Sequence, residues 1–114
     1  MRYLSMWRSM RETTNEWLIA EEICEGLEFL SAEGRVEFDK EVELDGFLFV
    51  EVVGAVTYES HYEESTNYRY LTYASTEIDT VKVSKYDAGG DAVPVTERVN
   101  ERLIAKYITK ILLR

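Results

Sequence analysis

The stretch FLFVEVVGAV, residues 47–56, constrains the fold more than any other part of this chain. A run this apolar, with Glu51 as its one charge, fits a strand covered on both faces and placed centrally in a sheet. The residues before it follow another rule. Val36, Phe38, Val42 and Leu44 alternate with Glu37, Asp39, Glu41 and Glu43, the period of a strand with one dry face and one wet face. Asp45-Gly46 between them tolerates the positive φ of a tight hairpin. The central strand is expected over residues 47–58. In it Phe47, Phe49 and Val53 point opposite to Leu48, Val50, Val52 and Val56. Both sheet faces therefore call for cover, from one helix each or from a helix layer and a second subunit. A homodimer is the expectation.

Further along, residues 59–67 read as a polar loop. Residues 68–75 and 77–86 read as two strands, or as one with a bulge near Ala74-Ser75-Thr76. Asp87-Ala88-Gly89-Gly90-Asp91 is a strong turn. A short extended piece follows over 92–95, where Pro94 suits an edge.

Helical spacing frames this sheet pattern. Thr13-Thr14-Asn15-Glu16 fits a capping box, as does Ser9 with Glu12. From there a helix is expected to about residue 32, stopping near Gly34. Trp17, Ile19, Ala20, Ile23, Cys24, Leu27 and Leu30 share its apolar face, opposite Glu21, Glu22, Glu25 and Glu28. Leu18 and Phe29 fall among those glutamates. At the other end, Thr96 is expected to cap a final helix with Glu97 in its first turn and Lys110 and Arg114 near its end. Val99, Leu103, Ile104, Tyr107, Ile108 and Ile111 form its apolar face. The expectation is an α+β single domain over 1–114 in the order α-β-β-β-β-α. It is an antiparallel β-meander of three to five strands flanked by an N-terminal and a C-terminal amphipathic helix, with residues 1–11 a flexible lead-in.

Charge is divided unevenly. Residues 12–64 carry sixteen acidic side chains against Arg35 and Lys40, while residues 1–11 carry Arg2, Arg8 and Arg11 and no acid. The net charge of −9 opposes general binding to nucleic acid or anionic membranes. One cysteine, Cys24, rules out an internal disulfide and reads as a small buried apolar residue. No signal-peptide pattern or long apolar run appears, so a cytoplasmic setting is expected.

Three concentrations of side chains are candidate surfaces. The acidic band joins Glu21, Glu22, Glu25 and Glu28 to Glu37, Asp39, Glu41 and Glu43. It reads as a solvated face, or as carboxylates spaced to mimic a phosphate backbone. The embedded Leu18 and Phe29 resemble the apolar centre of an interface with a polar rim. Tyr58, Tyr62, Tyr68, Tyr70 and Tyr73 crowd the expected loop and its strands. Tyrosine is enriched at binding surfaces and also packs well across strands. Arg98, Arg102, Lys106 and Lys110 recur every four residues, a basic stripe for phosphates or an acidic protein, or a plain solvated helix face. His61, the only histidine, lies among Glu59, Glu63 and Glu64 without partners suited to metal or acid–base work. No nucleophile elbow occurs, and Gly89-Gly90 precedes no long helix as a phosphate loop would. No cofactor, no metal and no catalysis are expected.

Ile78-Asp79-Thr80-Val81-Lys82-Val83, Tyr86-Asp87, the glycine turn, Val93-Pro94-Val95-Thr96 and the amphipathic helix after them are similar in layout to short orphan proteins of bacteriophages and mobile elements. Val52-Val53-Gly54 and Tyr58 fit the same layout, which covers roughly half the chain. The resemblance implies a small accessory or host-interaction protein and carries over no catalytic residue. The leading reading is a non-catalytic protein-binding module acting through Leu18, Glu21, Glu25, Glu28, Phe29, Glu41, Tyr58, Tyr62 and Tyr68. Its partner would be a protein, basic or nucleic-acid-binding. The alternatives are a nucleic-acid mimic that inhibits a DNA- or RNA-binding defence enzyme, and direct nucleic-acid binding by the basic stripe.

Overall fold

Alternating and β-branched residues form strands where they can pair, and here the pairing is extensive. The computed structural model describes residues 15–44, 48–95 and 99–114. They form α1 (Asn15–Glu25), β1 (Glu33–Leu44), β2 (Leu48–Glu63), β3 (Tyr68–Tyr86), β4 (Ala92–Pro94) and α2 (Glu101–Leu113). The strands make one antiparallel sheet in the order β1-β2-β3-β4. The fold is therefore the α+β meander between two helices that the sequence predicts. Asp45-Gly46 lies outside the described residues.

Even-numbered β2 residues build the core. Val50, Val52, Val56 and Tyr58, with Val42 and Leu44 of β1, meet Ile19, Ala20 and Ile23 of α1 and Ile104 and Ile108 of α2. Each Val, Leu or Ile among them contributes about 1.5–3 kcal/mol on full burial. The shared hydroxyl hydrogen bond of Thr76 and Thr109, 2.9 Å, fixes α2 to β3. Both helices thus lie on one face of the sheet, which removes the option of one helix per face. On the other face the register places Arg35 and Glu77 diagonally across Ala55, and their ion pair (3.5 Å) spans this fully buried alanine. Phe49 packs edge-on against Tyr86 at 4.6 Å.

Residues 68–86 form one strand, with its irregularities at Thr72 and Asp79 rather than at 74–76. Each leaves one β3 residue without a β2 partner, so the inward set shifts by one. Leu71, Ala74, Thr76, Ile78, Val81 and Val83 consequently stay on the helix side. The expected loop 59–67 is shorter. Residues 59–63 continue β2 opposite Tyr68–Tyr73, leaving a four-residue turn in which Asn67 takes φ 56°.

Both helices differ from the sequence-based bounds. After Glu25 the chain turns at Gly26, whose N–H bonds to the Ile23 carbonyl (3.2 Å), and then extends. The extended segment is held because the Ser60 N–H donates to the Ala32 carbonyl at 2.7 Å and the Ser60 hydroxyl to the Ser31 carbonyl at 2.6 Å. Leu27 and Phe29 turn inward from it, while Glu28 and Leu30 are exposed. Phe29 is thus no helix residue, and Leu30 belongs to no apolar face. α2 begins at Glu101 and not at Thr96. Asn100 is its N-cap, with the side-chain oxygen accepting from the Leu103 N–H at 3.1 Å. Thr96, Glu97 and Arg98 lie outside the described residues, as do Ser9, Glu12, Thr13 and Thr14. Glu16 accepts from the Asn100 N–H at 3.0 Å, tying the two helix starts together.

Candidate functional site

Four elements converge at one end of the molecule around a groove of about 570 Å³. α1 supplies Glu21, Cys24 and Glu25, and the extended segment after it supplies Phe29. The start of β3 supplies residues 68–71, and the end of α2 supplies residues 111–114. Phe29 is held edge-on to Tyr58, ring centroids 4.8 Å apart at 71°. The Tyr58 hydroxyl bonds to the Ser31 hydroxyl (2.8 Å) and accepts from the Ser31 N–H at 3.4 Å, so the segment carrying Phe29 is fixed from beneath.

The start of β3 in the β2–β3 hairpin forms the remaining side, through Tyr68, Arg69, Tyr70 and Leu71. Because Thr72 is extra, Tyr68, Tyr70 and Tyr73 all fall opposite Glu63, His61 and Glu59 and share the open face of the sheet, away from the helices. Without that bulge Tyr73 would face away from the other two. Tyr68 stacks on Tyr70 at 6.4 Å, and His61 meets Tyr70 edge-on at 5.5 Å. Tyr68 is 62 % exposed. Arg69 points to the helix side, where the groove lies, donating to the Ser60 hydroxyl at 2.8 Å and lying 5.6 Å from the Tyr62 ring centre. The Tyr62 hydroxyl in turn donates to the Asn67 side-chain oxygen.

Of the residues singled out from sequence, Glu21, Glu25, Phe29 and Tyr68 border this groove together. Tyr58 is 4 % exposed, a core residue and no part of the surface, because its even β2 position points at the helices. Tyr62 and His61 lie on β2, not in a loop. Leu18, 39 % exposed, lines a second hollow of about 380 Å³ with Glu21, Glu22, Glu25 and Glu43. Glu21 and Glu25 thus form a ridge between two hollows. Glu28 is exposed beyond the end of α1, and Glu41 projects from the open face of β1 with Glu37, Asp39 and Glu43. The acidic band therefore wraps the β1 edge of the sheet. Arg102, Lys106 and Lys110 are exposed on the side of α2 away from Ile104 and Ile108; Arg98 lies outside the described residues.

Sequence reasoning does not find Arg69, Leu112, Leu113 and Arg114 as groove residues. The one signal is Arg69 itself, a base set between Tyr68 and Tyr70. The groove sets the apolar Phe29, Leu71, Ile111 and Leu112 beside both signs of charge, which suits a protein segment. It offers no activated nucleophile. Burial pushes the Cys24 thiol up to about 11, and its S–H points at the Ile108 carbonyl, 3.8 Å away. Among the described residues no group of three His, Cys, Asp or Glu side chains could hold a metal ion, and no helix is long and apolar enough to cross a membrane. Compared with known proteins, the chain matches no family model, no curated protein and no solved structure.

Proposed function

We propose that this protein is a non-catalytic protein-binding module, a cytoplasmic accessory factor of phage or mobile-element type, that holds its partner in the groove between α1, α2 and the start of β3. The convergence of Glu21, Glu25, Phe29 and Tyr68 on one groove carries this reading, since those residues are far apart in sequence. An exposed tyrosine at the border of a half-buried apolar floor with mixed charge has the anatomy of an interface rim and its centre. Tyr68→Ala and Leu113→Glu change exposed groove residues. Each is expected to abolish capture of the partner that the unaltered protein retains from host lysate, with thermal midpoint unchanged. Undiminished capture by both would overturn the reading.

A second reading, nucleic-acid mimicry, is favoured by the row Glu37, Asp39, Glu41 and Glu43 on the open sheet face. Alternate strand residues lie about 6.7 Å apart, one carboxylate for every two phosphates of a DNA strand at ~3.4 Å axial rise. The sparser row places mimicry second. Its mark is steep salt dependence of the complex and loss on charge reversal at Glu21, Glu25 and Glu41, whereas an aromatic groove responds weakly to salt.

A further inference from the structure

We propose that the outer edge of β1 is a docking site for an extended segment of a basic protein, which adds to the sheet as a fifth strand. This goes beyond the groove reading and does not depend on it. Among the described residues no strand pairs with β1 on the side away from β2. An edge strand turns the N–H and C=O of alternate residues outward, a template for another strand. β1 is long, and every residue from Glu33 to Leu44 pairs with β2 in unbroken register, so the edge is regular over its whole length. The opposite border differs. β4 is three residues long and ends in Pro94, and the exposed part of β3 is broken by the bulges at Thr72 and Asp79. Those are devices that stop strand addition, and β1 has neither; its one inward-facing charge is Lys40.

The side chains of β1 specify the chemistry of the added strand. On the open face Glu37, Asp39 and Glu41 are exposed, and on the helix face Val36 and Phe38 are only half-buried at the margin of the core, followed by Lys40, half-buried opposite Val52. An added strand places its own alternate side chains about 5 Å from each of these rows. The matching sequence alternates bases, set beside the carboxylates, with apolar residues that continue the core layer over Val36 and Phe38. A second copy of this chain does not fit, because edge-to-edge pairing of two β1 strands brings like charges face to face.

The test uses a ten-residue peptide alternating Lys and Val, added to the full chain at about 150 mM salt and followed by fluorescence anisotropy. With its lysines beside the carboxylates, only one set of its amides can face β1. Two further peptides carry N-methyl groups, one on every lysine amide and one on every valine amide. The expected result is at least ten-fold weaker binding for one of these two and near-unchanged binding for the other. Binding should also fall at least ten-fold in Asp39→Lys/Glu41→Lys and persist in Tyr68→Ala, which separates this site from the groove. Loss for both methylated peptides or for neither would overturn the proposal, as would no binding of the parent peptide.

Discussion

Phe38 faces Gly54 across the β1–β2 ladder, and its ring occupies the space a side chain at Gly54 would need. A Cβ there would stand 2.9 Å from Phe38 Cζ and would overlap the Glu77 carbonyl oxygen. The aromatic ring over a bare strand glycine supplies the burial that glycine itself cannot. The neighbouring bulge at Asp79 leaves little slack, because β3 backbone already lies against Gly54. Gly54→Ala is expected to destabilise the fold by about 1–3 kcal/mol, the usual cost of overpacking. Urea denaturation measures it. Gly26→Ala is the control: its Cβ would meet only the Ile23 carbonyl at 3.8 Å, and stability should be unchanged or slightly higher.

Asn100 links the two helices at their starts. Its side chain caps α2 through the Leu103 N–H, and its own N–H donates to the Glu16 carboxylate. Asn100→Ala removes the cap and is expected to cost about 1 kcal/mol. Glu16→Gln keeps a weaker acceptor and should cost less. The same urea midpoints order the variants, and a larger loss for Glu16→Gln would contradict the capping account.

Tyr58 joins the core to the segment that carries Phe29. Tyr58→Phe keeps the edge-on contact with Phe29 and deletes only the hydroxyl shared with Ser31. The expected loss is about 1 kcal/mol. Tyr58→Ala empties a buried aromatic site and should cost about 3–5 kcal/mol. Amide exchange at Ser31 is expected to quicken in both variants, since its N–H donates to that hydroxyl.

The sheet is legible in the sequence because a period of two survives any tertiary context. Glu37 to Leu44 alternates except at Lys40, residues 47–56 are apolar except for Glu51, and these two facts alone order β1 beside a central β2. The bulges leave a trace, since the inward residues Leu71, Ala74, Thr76, Ile78, Val81 and Val83 skip by three at Thr72 and again at Asp79. That trace is readable only once the register with β2 is known. The end of α1 is obscured because Leu27 and Leu30 continue its 3.6-residue spacing by coincidence. Phe29, which does not fit that helix, marks the error, as it faces inward from an extended segment. The groove escapes sequence reasoning for a different reason. Glu21, Tyr68 and Arg114 meet only through packing of three separate elements, and no local pattern encodes that meeting.

Cys24 gives the fold a pH dependence at the alkaline end. Desolvation by burial raises its thiol from 9.0 to about 11, partly offset by Arg114 and reinforced by Glu21. In the unfolded chain the thiol ionises near 9.0, so between that pH and about 11 the unfolded state holds fewer protons than the folded one. Folding stability from this group is therefore complete below about pH 9 and is lost as pH rises through 11. Urea midpoints taken across this window should fall for the unaltered protein and fall less steeply for Cys24→Ala, whose absolute stability is lower throughout. Native thiol labelling at pH 8 should be slow and become fast in denaturant. Rapid labelling of the folded protein, or parallel pH curves for the two chains, would show that Cys24 is not held protonated by its surroundings.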